Sequence, residues 1–281
     1  MPTTKQYVWL PHGQVHVRAS GELQDPVLVL LHQVPSASTM WEAVMQPLAR
    51  RGYRVLALDL PGYGASDPLP VAPELADYAE VVMGTLGALG HDRAFVVGHH
   101  TGASVGLLLA ADHPEVITAV ALWGLANHVG PEAEELADET PPALGSGYID
   151  DVREWWASRL VHATPGGDGA VMARALAELV VCGVHRPDGH NAVGRTDHTA
   201  LLTRAVAPVL LMTGGREMLD EITRQAAADH PERTELAVLG DNGMDVADDE
   251  PELFSSTVDG FFRRVDDTSF PVLLEEDAHV R

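Results

Sequence analysis

The sequence predicts an α/β protein built on a mostly parallel, eight-stranded sheet flanked by helices. Three observations support this fold class. Short apolar runs, such as residues 27–31, 95–97 and 208–213, recur along the chain with helical patterns between them. These runs lack a polar alternation, which is typical of parallel strands covered by helices on both faces. With 281 residues, 46% of them hydrophobic, the chain is long enough to bury such a sheet in one core.

The predicted strands and helices alternate in a regular order. We expect an antiparallel hairpin at 6–10 and 14–19, followed by strands at 27–31, 53–58, 95–98, 116–122, 208–213 and 235–239. We expect helices at 39–51, 74–89, 101–113, from residue 220 and at 251–265, with Thr39 as the N-cap of the first. Strand–helix–strand units of this kind cross over in the right-handed sense, so the strands after the hairpin belong to one parallel sheet.

A long segment without strand patterns interrupts this order. Residues 131–207 show helical periodicity with two breaks rich in proline or glycine, at 141–147 and 165–169. We therefore expect residues 1–130 and 208–265 to form the core. The remaining tail, residues 266–281, carries an apolar run at 270–274 among acidic residues. It either covers the core or meets a second copy of the chain in a homodimer.

Charge and composition exclude several classes of partner. The net charge of −23 is unsuited to nucleic acid or to an anionic membrane, because both bind basic surfaces. Cys182 is the sole cysteine, so no internal disulfide forms, as is typical of a reducing cytosol. The first residues lack a signal-peptide pattern, and the apolar stretch at 116–126 is far shorter than the ~20 residues of a membrane span. We expect a soluble cytoplasmic protein whose partner is a small molecule.

Two motifs carry more specific information. Residues 95–103 join a strand to a helix through a turn, called the elbow below, in which Gly98 and Gly102 flank a central residue, His100. Two glycines at this spacing let backbone segments approach closely around a strained residue. The second motif, Asp-x-Pro-Gly-x-Gly-x-Ser-Asp at 59–67, follows a predicted strand. The turn and this loop together resemble the α/β-hydrolase superfamily, and the resemblance extends over roughly residues 7–265.

The resemblance implies where an active site lies. It implies a helical lid at 131–207 above the site, and a nucleophile at the position that His100 occupies. The family's acid follows the penultimate strand and corresponds to Glu217, whereas its base follows the last strand and corresponds to Met244. A thioether carries no proton at neutral pH. The family's triad therefore lacks both its hydroxyl and its usual imidazole.

Side-chain lengths suggest how the remaining groups could act together. An imidazole at the elbow reaches beyond a serine hydroxyl toward the space of the missing base, and a glutamate reaches ~1.5 Å further than an aspartate. We hypothesise that His100 and Glu217 form a dyad in which the imidazole is a general base or acid. The alternative is that His100 fills an inactive site and that Glu217 stabilises a helix start.

Backbone amides can hold an oxyanion whatever the side chains are. The resemblance assigns this task to the N–H groups of Val34 and Thr101. Gln33 either binds a substrate carbonyl or satisfies loop backbone, and both interpretations stay open. We expect His32 to be a structural hydrogen-bonding group and His99 to pack under the elbow.

The other candidate groups carry weaker signals. Trp155 and Trp156 point to opposite sides of a helix, so at most one of them lines the pocket, and Met244 is a further candidate substrate contact. The spacing of five metal-ligand side chains matches no standard metal site and favours a solvated loop: His185, Asp188, His190, Asp197 and His198. No phosphate loop or dinucleotide fingerprint occurs, so no cofactor and no metal are predicted. His128 and Asp245 could supply a further acid or base, but nothing in their spacing requires it.

Three functions fit these residues. The first is an enzyme that acts on a small apolar carbonyl or ester-type compound without a covalent serine step, by water addition, lyase chemistry, decarboxylation or ring closure. The second is a hydrolase in which His100 is the nucleophile and forms an acyl-imidazole. The third is a ligand-binding protein with an inactive site. The apolar residues of the segment 131–207 favour a small apolar ligand over a sugar or nucleotide.

Overall fold

Eight strands form one mixed sheet in the computed structural model of the protein, which describes residues 2–128, 131–140, 145, 147–163, 167 and 169–269. The strands are β1 (Thr4–Leu10), β2 (Gly13–Ser20), β3 (Val27–Leu31), β4 (Arg54–Leu58), β5 (Ala94–His99), β6 (Ile117–Trp123), β7 (Val209–Thr213) and β8 (Thr234–Val238). Their order is β1-β2-β4-β3-β5-β6-β7-β8. The pairings β1–β2 and β2–β4 are antiparallel, and the pairings from β4 to β8 are parallel. The predicted eight-stranded α/β sheet is confirmed.

Helices follow most strands, as expected. They are α1 (Glu42–Arg50), α2 (Leu75–Ala88), α3 (Thr101–Asp112), α4 (Pro131–Ala137), α5 (Tyr148–His162), α6 (Gly169–Cys182), α7 (Asp188–Gly194), α8 (His198–Arg204), α9 (Asp220–Asp229), α10 (Val246–Asp249) and α11 (Pro251–Ser269). The prediction of Thr39 as an N-cap is wrong. Thr39 lies inside the 3₁₀ turn Ser38–Trp41, and its hydroxyl donates to the carboxylate of Glu178 instead. None of the described helices is both long and apolar enough to cross a membrane.

The sheet separates two apolar cores. Along β3, Val29 and Leu31 face the core that α2 and α3 cover, whereas Leu28 and Leu30 face the core that α1 and α11 cover. All four side chains are fully buried, which explains why the run shows no polar alternation. Each such side chain contributes about 1.5–3 kcal/mol through its burial. The two cores make the sheet a rigid support for the loops at the carboxyl ends of its parallel strands.

The loop at 59–67 is held by its first residue. Asp59 is buried, and its carboxylate accepts hydrogen bonds from His16 Nδ1 at 2.8 Å, Ser38 N at 2.6 Å and Ala65 N at 2.9 Å. Burial alone raises the pKa of Asp59, but these donors and the nearby imidazoles together hold it well below its usual value. Gly64 has a φ of +57°, and a Cβ there would lie 2.3 Å from Asp59 Oδ2. The spacing of acid and glycine in this motif therefore has a steric cause.

The helical insertion, residues 131–207 with α4 to α8, packs on the loops that follow β3 and β4. The Tyr63 hydroxyl donates to the carbonyl of His185 at 2.9 Å and accepts from Gly189 N at 2.9 Å. Glu178 on α6 accepts a hydrogen bond from the Ser36 hydroxyl at 2.6 Å. Most of the predicted breaks at 141–147 and 165–169 lies outside the described residues, as does the tail run at 270–274. The division into core, lid and tail stays a prediction.

The contact between α8 and α3 gives this fold an expected pH dependence. His198 is buried with its Nε2 2.8 Å from Ser104 Oγ, and burial lowers its pKa from 6.5 to about 4. The unfolded chain therefore takes up a proton below pH 6.5 that the folded protein does not, so stability is complete above pH 6.5 and falls as the pH drops. We expect this residue to remove about 2 kcal/mol of the free energy of unfolding between pH 6.5 and 4.5.

Urea denaturation at several pH values checks this effect. Between pH 6.5 and 4.5 the free energy of unfolding of His198→Gln should fall less than that of the wild type. In the control His230→Gln, at a partly exposed histidine, the free energy of unfolding should depend on pH as it does in the wild type. Equal slopes in the wild type and His198→Gln would contradict the assignment.

Candidate active site

The turn between β5 and α3 is a strained elbow. His100 has φ 48° and ψ −107°, and it is the one non-glycine residue with positive φ in the described ranges. A Cβ at Gly98 would lie 2.2 Å from the Gly102 carbonyl oxygen, and a Cβ at Gly102 would lie 2.2 Å from that of Leu31. Both positions therefore require glycine. Strain of this kind persists where the surrounding contacts hold the backbone in the strained conformation. It is common at functional sites.

His100 and Glu217 lie in contact at the carboxyl edge of the sheet. Nε2 of His100 is 2.6 Å from Oε1 of Glu217, although 117 positions separate the two residues in the sequence. A carboxylate only accepts hydrogen bonds, so Nε2 carries the hydrogen of this contact. Nδ1 is then the ring nitrogen left to exchange a proton with another molecule.

Glu217 is a buried and ionised carboxylate. Besides His100, it accepts hydrogen bonds from Trp123 Nε1 at 2.6 Å and from Leu219 N at 3.2 Å. Burial raises its pKa, but the electrostatic attraction and hydrogen bond of His100 and the Trp123 donor outweigh burial and lower the pKa to about 2. At neutral pH the carboxylate is therefore a fixed negative charge that orients the imidazole.

Two residues where β6 ends, Trp123 and Gly124, complete this arrangement. Sequence reasoning missed both. Trp123 ends β6 and pairs with His99 of β5 in the sheet register. Gly124 follows it with φ +62°, and a Cβ there would lie 2.5 Å from His100 Cδ2 and 3.1 Å from Glu217 Oε1. The available signal was a Trp-Gly pair directly after a predicted strand. Glycine is required at position 124 because the dyad occupies the space of its side chain.

Trp123→Phe tests the support of the carboxylate. Removing a donor to the charged form disfavours that form, so the pKa of Glu217 should rise from about 2 toward its ordinary value. NMR titration of protein labelled with ¹³C at the glutamate carboxyl carbons measures the change. Trp156→Phe, on a half-buried side chain of α5, is the matched control and should leave this titration unchanged. An unchanged Glu217 signal in Trp123→Phe would contradict the role of the indole.

His99 lies under the elbow, as predicted. Its Nε2 donates to the carbonyl of Met244 at 2.9 Å, and its Nδ1 is buried without a hydrogen-bond partner in the described part of the chain. Burial lowers the pKa of His99 well below its usual value, so the ring is neutral. His99, His100 and Glu217 offer ligand atoms within 4.8 Å of one another. The 2.6 Å contact of His100 with Glu217 is shorter than the separation of roughly 3 Å between two ligands of one zinc ion, so this contact suits a shared proton.

The position of the family's base holds a buried thioether beside a cation. Met244 Sδ lies 3.0 Å from Nη1 of Arg159, and Nη2 of Arg159 donates to the carboxylate of Asp245. Arg159 lies on α5 of the helical insertion and is 8% exposed. Sequence reasoning missed it, because an arginine in an amphipathic helix is usually solvated.

Two backbone amides are free beside the elbow. The N–H groups of Val34 and Thr101 have no hydrogen-bond partner among the described residues, although both residues are buried. A Cβ on Gly189 of α7 would meet Val34 Cγ1 at 2.9 Å and Thr101 Cγ2 at 3.2 Å, so the insertion closes over both residues. This arrangement is compatible with an oxyanion hole, and that role stays a prediction.

The loop before these amides is supported by His32. Its Nδ1 donates to the carbonyl of Gln33 at 2.7 Å, and its Nε2 accepts from Leu60 N at 2.8 Å. Burial lowers the pKa of His32, so the ring stays neutral. The ring thus has the structural hydrogen bonds that the sequence suggested. Gln33 is buried, and its contacts do not choose between its two interpretations.

The remaining candidates have contacts of their own. Trp155 packs with its ring centroid 5.7 Å from the guanidinium of Arg159, and Trp156 is half-buried. The histidines of the insertion pair separately: His185 with Asp188, His190 with Glu139, and His198 with Ser104. His128 lies 3.4 Å from Glu132 on the adjoining helix. Within the described ranges these side chains form no group with metal-ligand spacing.

Comparison with known proteins identifies the family. The model of the family described as alpha/beta hydrolase fold matches residues 26–173, just over half of the 281-residue chain. The chain therefore belongs to the α/β-hydrolase fold family.

Several relatives show how far the similarity extends. Epoxide hydrolase B of Mycobacterium tuberculosis is 40% identical over 94 residues, which are 33% of this chain and 26% of that protein. Pimeloyl-acyl-carrier protein methyl ester esterase of Neisseria meningitidis is 28% identical over 68% of this chain and 74% of its own length. The chain spans 26% to 50% of the length of several curated relatives that it matches. A crystal structure of a hydrolase from Pseudomonas aeruginosa PA01 superposes with a TM-score of 0.77 at 24% identity, covering 92% of this chain and 98% of that one, which shows the shared fold.

Proposed function

We propose that the protein is an enzyme that acts on a small carbonyl or ester-type metabolite by acid–base chemistry centred on His100. The observation that carries this proposal is the 2.6 Å contact between His100 Nε2 and the buried, ionised Glu217. A carboxylate in this position orients the ring and stabilises the imidazolium that forms when the other nitrogen takes a proton. The partner is a small cytoplasmic molecule, and the helical insertion acts as the lid of its site.

In the proposed reaction His100 takes one proton from the substrate or from water and later returns it. Nδ1 of His100 takes a proton from a carbon next to the substrate carbonyl, or from a water that attacks it, and the electron pair moves onto the carbonyl oxygen. The amides of Val34 and Thr101 hold the resulting oxyanion. The imidazolium then returns its proton to the product or to the leaving group. Lyase reactions, ring closure and water addition follow this course. In a decarboxylation the C–C bond to the leaving CO₂ breaks instead, its electron pair moves onto the carbonyl oxygen, and the imidazolium supplies the proton that the carbon then takes.

A serine-type hydrolysis is not part of the proposal. The central position of the elbow, His100, carries no hydroxyl, and Met244 offers a thioether where the family's base would be. A covalent route would have to use His100 itself, with an acyl group transferred to Nδ1. The imidazole would then be both the attacking and the leaving group.

Proton exchange tests the proposal before the natural substrate is known. We would incubate the enzyme in D₂O with simple ketones, aldehydes, a methyl ester and an epoxide, and follow the substrates by ¹H NMR. The expected result is enzyme-dependent exchange or conversion at the carbon next to a carbonyl. His100→Gln should lose it, and His113→Gln, at a partly exposed histidine, should keep it.

Other outcomes distinguish the alternatives. A burst with activated esters and an acyl adduct on His100 by mass spectrometry would favour the nucleophilic route. Ligand binding without exchange, conversion or adduct would leave a binding protein with an inactive site. Exchange that persists in folded His100→Gln would overturn the proposal.

A further inference from the structure

We infer that Arg159 anchors a carboxylate of the substrate, so that the substrate is a carbonyl compound that also bears an acidic group. The inference rests on the proposed function, because it concerns the same site. It starts from the hydrogen bonds of a single buried guanidinium.

Arg159 is buried with its donors only partly used. A guanidinium offers five N–H groups in a flat fork that matches the two oxygens of a carboxylate. Nη2 donates to Asp245, whereas Nη1 faces the sulfur of Met244 at 3.0 Å, and a thioether is a weak acceptor. Nε is buried and has no partner among the described residues. Buried donors normally have partners, so an underused guanidinium at a candidate site indicates a missing acceptor.

A second arginine of the insertion shows what a purely structural pairing looks like. Arg174 on α6 donates from Nη1 and Nη2 to the two oxygens of Asp248, at 3.1 and 2.6 Å. Its Nε, like that of Arg159, is buried without a hydrogen-bond partner among the described residues and lies 3.9 Å from the Glu178 carboxylate, so the two arginines differ in the acceptors of their Nη groups. Both arginines join the insertion to the segment at 245–248, but Arg174 donates through both Nη groups to one carboxylate, whereas Arg159 donates to its carboxylate through Nη2 alone.

Two residues, Met244 and His99, connect the guanidinium to the dyad. Met244, which it contacts through sulfur, accepts the hydrogen bond of His99 with its carbonyl, and the rings of His99 and His100 are 4.3 Å apart. Trp155 packs against the guanidinium at 5.7 Å and restrains its plane. The Met244 side chain is unbranched and flexible, so it can turn away and yield Nη1 to a stronger acceptor. A ligand held there by its carboxylate would present its other end to His100.

The charges are compatible with an anionic ligand. Arg159 and Asp245 form an ion pair, so the pair brings no net charge. A bound carboxylate adds one negative charge near the imidazolium that the proposed reaction forms, and this charge favours it. In the opposing interpretation, Arg159 has only a structural role: it joins α5 to Asp245 and does not affect which ligand binds.

Matched pairs of acids and amides separate the two interpretations. We would measure dissociation constants by calorimetry for butanoate, hexanoate and phenylacetate against butanamide, hexanamide and phenylacetamide. In the wild type at least one acid should bind at least tenfold more tightly than its amide. Arg159→Gln should reduce this preference to twofold or less, and Arg174→Gln should retain it. If no acid is preferred, or if the preference survives in folded Arg159→Gln, the inference is wrong.

Two further variants keep the test decisive. Asp245→Asn removes the competing carboxylate, so it should strengthen acid binding severalfold. A purely structural role of Arg159 predicts no change in ligand preference. His100→Ala should keep the acid preference, because binding requires no turnover. Failure of the proposed chemistry and failure of the carboxylate anchor therefore give different results.

Discussion

His100→Ala is expected to lower proton exchange and substrate turnover to the background rate. The imidazole of His100 is held through Nε2 by a buried, ionised carboxylate, which leaves Nδ1 to exchange a proton. Loss of a general base removes roughly 10²- to 10⁴-fold in rate. The measurement is the exchange assay in D₂O, with circular dichroism as the check on folding. Full activity in this variant would exclude a catalytic role for the elbow.

The same position allows a sharper comparison. His100→Ser alone should not create an esterase, because Met244 offers the new hydroxyl no base. The double change His100→Ser with Met244→His would restore the family's triad with Glu217 as the acid. We expect this variant alone to hydrolyse p-nitrophenyl acetate, while it loses the native reaction. Because Arg159 Nη1 lies 3.0 Å from Met244 Sδ, the new imidazole would meet a fixed cation, which favours the neutral form that a base requires.

Equal esterase rates in the single and double variants would contradict this reasoning. So would an active His100→Ser enzyme, since its hydroxyl would then have found another base. Both variants need the folding check, because position 100 is strained.

Glu217→Gln is expected to reduce turnover by roughly 10²-fold or more while the fold is retained. In serine triads, removing the charge that orients the imidazole costs several kcal/mol of transition-state stabilisation. The amide also has one acceptor oxygen, whereas the carboxylate accepts from His100, Trp123 and Leu219. Its NH₂ group would face a donor, so the imidazole would have to change tautomer or turn away.

Asp220→Asn is the matched control for this loss. Asp220 begins α9 in the same loop and accepts hydrogen bonds from Thr213 and Arg224. If Glu217 acted only as a charge at a helix start, both variants would behave alike, because helix dipoles act on either acid. Unchanged turnover in folded Glu217→Gln would show that the carboxylate has no part in the reaction.

Much of the fold could be predicted because it depends on local patterns. Apolar runs such as 27–31 mark strands that helices cover on both sides, and the observed strand is Val27–Leu31. The glycines at 98 and 102 and the loop at 59–67 reflect close contacts between segments that are near in sequence or adjacent in the sheet. The positions of His100 and Glu217 came from the resemblance to the α/β-hydrolase superfamily, which implies a nucleophile at the elbow and an acid after the penultimate strand. Parallel strands bring these positions to one edge because their carboxyl ends meet there. The failed N-cap at Thr39 shows the limit of such reasoning, since Glu178, 139 positions away, captured its hydroxyl.

Only the tertiary structure could reveal the groups that complete the site. The contacts of Glu217 with Trp123 and of Arg159 with Met244 join residues 94 and 85 positions apart. No periodicity or spacing encodes such pairs, because they arise when separate elements pack against one another. Hydrogen-bond saturation is likewise a property of the assembled site: Arg159 and Arg174 are both ordinary helical arginines in the sequence, and they differ in the acceptors that surround them once the chain is folded. Burial makes that difference matter, because a donor removed from water depends entirely on the acceptors that the fold or a ligand places beside it.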